Sequence, residues 1–278
     1  MTATVTPTAR PVELDPCRVT QAGAIRAEWI KLRSLRSTWF SLLAALLITD
    51  GLGTLFSALH THRMEQGVGP DGKIIGIDAT QISLRGVFLA QLAIGVLGVL
   101  VITGEYSTGM IRSSLAAVPR RQPVLIAKAL VFAVVVFVTS LIATLLGFLF
   151  GQQAQASSHA QASLSTPGAE RAILGAAVYL TLIGLIAIGL GFLIRNTAGA
   201  IATLFGIVLV APILANTLPT PYSTDVAKFL PLNTGSQVIT TVNPDPSLFG
   251  PWAGIGITAL YAVIALVAGA VMLNRRDA

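Results

Sequence analysis

The chain has 278 residues, of which 54% are hydrophobic and 11% are charged, and its mean hydropathy is +0.77. These values exclude an ordinary soluble globule and favour a protein whose solvent is the lipid bilayer. The formal net charge of +6 fits the loops of such a protein better than a nucleic-acid-binding face, and the single cysteine, Cys17, excludes a disulfide scaffold.

The N-terminal segment divides into a polar tail and a surface helix. Residues 1–21 mix threonine, proline and charge without periodicity, which predicts a disordered cytoplasmic tail, and they lack the features of a signal peptide. In residues 22–38, apolar side chains such as Ile25, Trp29 and Leu32 recur at helical spacing among basic residues. This pattern predicts an amphipathic helix at the membrane surface, which either anchors the first span or also contacts a cytoplasmic partner.

Six apolar runs follow, each long enough to cross roughly 30 Å of hydrocarbon as a helix. They form a predicted transmembrane domain over residues 39–273, before a cytoplasmic tail at 274–278, with spans at about 39–59, 84–103, 125–150, 173–194, 198–215 and 251–273. The predicted fold class is an all-α membrane protein. An even number of spans places both termini on one side, and most of the 18 Lys and Arg residues fall there, so we expect cytoplasmic termini in the inner or plasma membrane.

Asp50 is the one acidic residue inside the first apolar run. It lies roughly 16 Å along the helix from Trp39, which predicts a position near the middle of the bilayer. A carboxylate there costs about 2.5–3.5 kcal/mol on the insertion scale, so it should face a cavity or a partner. Two interpretations remain open: a pathway-lining or proton-handling group, or a protonated or hydrogen-bonded structural group, helped by Thr49 and Thr54 nearby.

The stretch GVGPDGKI at residues 67–74 is similar to the phosphate-binding pattern G-x-x-x-x-G-K-[ST]. Ile74 replaces the hydroxyl residue that binds Mg²⁺, and Pro70 removes one backbone N–H from the loop. An apolar span precedes it instead of a buried strand, and the topology places it outside. We interpret it as a surface turn, and we expect a chain that is not an enzyme and has no bound cofactor.

Residues 104–121, GEYSTGMIRSSLAAVPRR, are too polar to cross a membrane and predict a short cytoplasmic helix ending at Pro119. Glu105 stands where this segment leaves the second span. It is interpreted as a hydrogen-bonded hinge, with a proton relay and a plain interfacial carboxylate as the alternatives. On the outer side, residues 226–241 are apolar enough to predict a re-entrant segment. His60, His62 and His159 form no recognisable ligand set, so no metal site is expected.

Together these segments resemble the membrane permease subunit of ABC-2 type ABC transporters. The resemblance is carried by RAEWIKLRSLRSTW, GEYSTGMIRSSLAAVPRRQPVLIAKAL, LIRNTAGA and KFLPLNTGSQVI. It implies a half-transporter that pairs with a second permease copy and with separate ATPase subunits, which would bind ATP and magnesium. In that family the helix after the second span couples to the ATPase, and the matching positions here are Glu105, Tyr106, Gly109, Met110, Arg112, Leu115, Pro119 and Arg120. Asp50 belongs to no motif of the family.

We therefore expect the permease subunit of an ATP-driven exporter of small hydrophobic or amphipathic molecules. A stand-alone proton-coupled transporter using Asp50 and Glu105 is one alternative, and a non-transporting membrane sensor or scaffold is another. The partners expected are an ABC ATPase, a second permease copy in a homodimer or heterodimer, and the bilayer, without nucleic acid. Small-residue patterns such as Ala265 to Gly269 are too frequent to identify the dimer face.

Overall fold

The computed structural model describes residues 20–65, 78–110, 121–156, 161–242 and 244–275. Within these ranges the regular structure is helical and no strand occurs. The helices are α1 (Gln21–Ser34), α2 (Arg36–Glu65), α3 (Ala79–Ser83), α4 (Val87–Ser107), α5 (Arg121–Ala154), α6 (Ala169–Ile194), α7 (Thr197–Phe205), α8 (Ala211–Ala215), α9 (Tyr222–Ala227), α10 (Pro231–Ile239) and α11 (Pro251–Arg275).

Six segments in the described part of the chain are long and apolar enough to cross a membrane, as predicted. Spans one to four are α2, α4, α5 and α6, and span six is α11. Span five joins α7 and α8 through a π-helical turn, Gly206–Val210. This wider turn comes directly before the turn that contains Pro212, a residue that cannot donate a backbone hydrogen bond.

The surface helix and the first span meet at a sharp corner. Residues 22–38 were predicted as one helix, but α1 ends at Ser34, and Leu35 is extended with ψ 114° before α2 begins. The Trp39 indole N–H donates to the Arg33 carbonyl oxygen across 3.0 Å and closes the corner. Residues 36–38 therefore belong to the spanning helix.

Helix α6 lies at the centre of the bundle and packs against α4, α5 and α11. Glycines allow these helices to approach closely. A Cβ atom at Gly98 of α4 would lie 2.6 Å from the Gly184 carbonyl oxygen, and one at Gly189 would lie 2.4 Å from the Ala265 carbonyl carbon. The Ala265 to Gly269 pattern is thus used inside the chain, where α11 crosses α6.

The bundle has two polar ends, which we name by the short helices they carry. At the α1 end, Thr197 in the turn after span four donates to the Thr103 hydroxyl across 2.9 Å. At the α10 end, α10 packs against spans four and six, and the Thr234 and Thr258 hydroxyls are 2.8 Å apart. The predicted re-entrant segment 226–241 contains the end of α9 and all of α10.

Asp78 ties α3 to the chain that leaves α10. Its buried carboxylate caps α3 by accepting from Gln81 N–H, and it also accepts from the Thr241 N–H, the Thr241 hydroxyl and the Val242 N–H. Arg171 of α6 donates to the neighbouring Thr240 carbonyl oxygen across 2.6 Å. Two connections far apart in sequence are therefore fixed to each other at this end.

We expect Asp78→Asn to lower the free energy of unfolding by about 1–3 kcal/mol, because the amide group can no longer accept from every buried N–H. The matched control is Asp245→Asn, since Asp245 is exposed and accepts locally from Ser247. Thermal unfolding in detergent measures both. Equal decreases in the melting temperature of the two variants would show that the contacts of Asp78 stabilise the protein no more than the local hydrogen bonds of Asp245 do.

Candidate functional site

Four charged side chains meet at the α1 end and form what we call the charge ring: Glu28, Lys31, Glu105 and Lys128. The Lys128 ammonium donates to Glu28 Oε2 across 2.6 Å and to Glu105 Oε1 across 2.8 Å. The Lys31 ammonium donates to Glu28 Oε1 across 3.1 Å and to Glu105 Oε1 across 3.2 Å. The ring therefore joins α1, the end of α4 and the start of α5.

Three of the four charged side chains in the ring are buried, so each of them needs a partner of opposite charge. Lys128 is 2% exposed, Glu28 6% and Glu105 9%. Isolated charges at such depth are strongly unfavourable, whereas two carboxylates facing two ammonium groups balance in charge. Glu105 Oε2 is buried and has no hydrogen-bond partner in the described part of the chain, so this carboxylate holds its two cations through Oε1 alone.

Lys31 is the most solvent-accessible member of the ring. Burial acts to lower the pKa of Lys31, but the carboxylates of Glu105 and Glu28 outweigh it and hold that pKa above its ordinary value. Its contribution to stability is consequently complete at neutral pH and is lost only when the pH rises through the raised pKa. Lys31 therefore keeps its charge near physiological pH and does not make the ring a pH switch there.

The ring explains which face of α1 is buried. Ala24, Glu28 and Leu32 follow one another at four-residue spacing and point into the protein, whereas Trp29 is exposed. Of the two predicted apolar side chains, Leu32 packs into the protein, whereas Trp29 is exposed and stays available for the predicted position at the membrane surface. A signal for the ring did exist in the sequence, because Lys128 is a charge within an otherwise apolar run.

The predicted coupling residues lie partly in the described structure. Helix α4 continues past the predicted end of span two at residue 103, so Glu105 and Tyr106 are helical. Gly109 follows with φ +71°, a left-handed conformation that favours glycine and ends helices. Met110 is 47% exposed. The other predicted positions lie outside the described residues: Arg112, Leu115, Pro119 and Arg120.

A second contact set links Tyr106 to the later spans. The Arg195 guanidinium lies 5.1 Å from the centroid of the Tyr106 ring, within the range of a cation–π interaction. Arg195 itself ends α6 in a left-handed conformation with φ 60° and donates to the Met272 carbonyl oxygen across 3.1 Å. The last turn of α4 therefore contacts the turn after span four, and through it span six.

The carboxylate of Asp50 is not hydrogen-bonded by the neighbouring threonines. The Thr49 hydroxyl donates to the Ala45 carbonyl oxygen, and the Thr54 hydroxyl donates to the main-chain oxygen of Asp50. Neither hydroxyl bonds to the carboxylate, so that part of the structural interpretation is wrong. Asp50 Oδ1 is buried beside Gly147 of α5, without a hydrogen-bond partner among the described residues.

Asp50 and Glu105 lie at different levels of the bundle. Thr49, the neighbour of Asp50, packs against Gly86 just before α4 begins. The helix from Gly86 to Glu105 covers roughly 28 Å at 1.5 Å per residue. Asp50 is consequently closer to the α10 end, and no side-chain contact in the described structure joins it to the charge ring.

The other candidate positions concern metal and nucleotide binding, and most of them lie outside the described residues. No group of three or more His, Cys, Asp or Glu residues in the described ranges could hold a metal ion. Cys17, His159 and the GVGPDGKI loop fall outside the described residues, and the side chains of His60 and His62 are not described.

Comparison with known families gave a match that includes the charge ring. The model of a family described as ABC-2 family transporter protein matches residues 24–212. This chain belongs to that family. The matched region begins in α1, contains the complete charge ring and ends in α8, so the resemblance is confirmed over the first five spans. A comparison with curated proteins gave no match. This ABC-2 family member is thus a multi-pass membrane protein whose α10 and sixth span lie beyond the matched region.

Proposed function

We propose that this ABC-2 family member is the permease subunit of an ATP-driven exporter. Two permease subunits pair around the substrate pathway, and a separate ATPase subunit binds at the α1 end. The ATPase, and not this chain, binds ATP and magnesium. The α1 end then faces the cytoplasm, and the protein resides in the inner or plasma membrane with both termini inside.

The observation that carries the proposal is the continuity of α4. This helix runs without a break from Val87 to Ser107, through the span and into the segment from Gly104 whose sequence resembles the coupling helix of the family. Gly109 follows two residues after the helix ends, in a left-handed conformation. An ATPase that binds beside this turn therefore contacts the end of a spanning helix.

The surface of the α1 end supports the proposed orientation. Arg26, Arg33 and Arg36 are exposed on or beside α1. An excess of exposed basic residues is typical of the cytoplasmic side of a membrane protein. The same residues would face the anionic headgroups of that leaflet.

Export of small hydrophobic or amphipathic molecules fits the α10 end. The described elements there, α9 and α10, are single short helices, and α10 packs directly on spans four and six. Such elements offer little room for a large receiving domain.

A stand-alone proton-coupled transporter is less well supported. It would use Asp50 and Glu105 together, but roughly 28 Å of helix separates their levels and Glu105 is occupied by two ammonium groups. A direct proton relay between the two carboxylates therefore lacks a connecting contact in the described structure.

We expect affinity purification from native membranes in mild detergent to recover a soluble ATPase in stoichiometric amount. Met110→Asp should remove that ATPase, because it places a charge on an exposed apolar residue next to the Gly109 turn. The matched control is Leu218→Asp, which makes the same change at a similarly exposed position after α8, at the opposite end.

Mass spectrometry of the purified complexes identifies and counts the partner. Recovery of the chain without an ATPase, with transport in vesicles that contain no ATP, would contradict the proposal and favour a secondary transporter.

A further inference from the structure

The charge ring connects three helices, two of which end at a break in regular helical structure. Helix α1 continues into α2 through the extended residue Leu35, and α4 continues toward α5 through the left-handed Gly109. Both connections interrupt the regular helix, so neither forces α1, α4 and α5 to move together. The side chains of the ring supply that connection instead.

Lys128 is the central member of the ring. It is the most buried of the four residues, and its ammonium group contacts a carboxylate on α1 and a carboxylate on α4 at the same time. Separating α1 from the other two helices would strand Glu28 and Lys128 without their closest partners. Because buried charges strongly resist such separation, the three helices have one favoured arrangement.

Further contacts hold the same region. Gln21 at the start of α1 donates to the Pro123 carbonyl oxygen of α5 across 3.2 Å. Leu32 and Leu125 are buried in the same hydrophobic core cluster. Helix α1 is thus attached to α5 through a hydrogen bond, apolar packing and buried ion pairs.

We infer that the charge ring makes α1, the last turns of α4 and the first turns of α5 one rigid block, which transmits movement of the bound ATPase to spans two and three together. Leu35 and Gly109 are the two joints at the edges of this block. Glu28, Lys31, Glu105 and Lys128 act as positioning residues. The transmission part of this inference rests on the proposed function, whereas the rigid block does not.

The test detaches α1 while keeping one buried ion pair. Glu28→Gln combined with Lys31→Met removes one charge of each sign and leaves Lys128 paired with Glu105. The matched control is Asp225→Asn combined with Lys228→Met, which removes a similar pair, three residues apart, from the exposed surface near the α10 end. If the double variant does not fold, the same test is made with Glu28→Gln alone, which keeps the shape of the side chain.

Two measurements are made on each variant. Hydrogen exchange of the α1 amides is followed in the chain alone, and we expect it to accelerate at least about tenfold in the α1 variant, with α4 and α5 unchanged. Phosphate release from Mg-ATP is followed in the complex with the co-purified ATPase. We expect the ATPase to remain bound while its stimulation by the permease falls about tenfold.

The outcomes separate the two proposals. Unchanged exchange of α1 would overturn the rigid block, whether or not an ATPase is present. Accelerated exchange with full stimulation, or loss of the ATPase from the variant complex, would overturn transmission through the ring. If the unmodified chain binds no ATPase, the proposed function fails, and the exchange measurement still decides whether the block exists.

Discussion

Lys128→Met is expected to lower the free energy of unfolding by about 3–5 kcal/mol. Methionine has a similar length and keeps most of the apolar packing, but it leaves Glu28 and Glu105 facing each other across the site that the ammonium group occupied. Lys31 alone then balances two carboxylates. Reversible unfolding in mixed detergents gives the free energy directly.

The control for this prediction is Lys228→Met. Lys228 Nζ lies 2.9 Å from Asp225 Oδ1, almost the same distance as in the buried pairs, but the Asp225 side chain is well exposed. Pairs of this kind contribute between zero and about 1 kcal/mol. A similar loss in the two variants would mean that burial does not determine the strength of the charge ring.

The second large effect is expected at the crossing of α6 and α11. Gly189→Ala should lower the free energy of unfolding by about 3 kcal/mol, because the added methyl group would meet the backbone of Ala265. Backbone cannot move aside as a flexible side chain can, so spans four and six must separate. Thermal unfolding in detergent, with size-exclusion chromatography of the heated sample, measures the loss.

Gly256→Ala is the matched control for this substitution. It makes the same chemical change in α11, but a Cβ atom there meets no other atom within 4 Å. We expect unchanged stability or a gain of up to about 1 kcal/mol, since alanine is the better helix former. Destabilisation of both variants to the same degree would remove the close-approach explanation.

Hydropathy was sufficient to predict the bundle, because a spanning helix must satisfy its own backbone hydrogen bonds and cover itself with apolar side chains. Each of the six spans follows from that local requirement. The corner at Leu35 does not follow from it, since residues 22–38 have a helical pattern on both sides of the break. The position of the break depends on contacts such as that between Trp39 and Arg33.

The charge ring was missed for a related reason. Glu28 was not recognised as a site residue, because periodicity gives the spacing of a helix face but does not identify the residues that pack against it. Its closest partner, Lys128, is 100 positions away in the chain. Glu105 was recognised as important from its position beside the second span, but neither of its cationic partners was identified.

The position of Asp50 and the use of Ala265 to Gly269 also depend on tertiary packing. Counting along one helix predicts Asp50 near mid-bilayer, but it does not give the level of Asp50 relative to the other helices, which follows from the contact of Thr49 with Gly86. Likewise, a small-residue pattern indicates that another helix can approach closely, but it does not identify that helix. In this chain it is span four.

The order of synthesis gives Lys128 a further consequence. Helix α1 and α4 precede α5 in the chain, so the two carboxylates emerge from the ribosome before the lysine that neutralises them. A lysine entering the bilayer with span three would be costly by itself, and it finds both acceptors already in place. Before span three is made, Lys31 is the one cation of the ring beside two carboxylates, so the charges of the ring balance only when the start of α5 has packed against α1 and the end of α4.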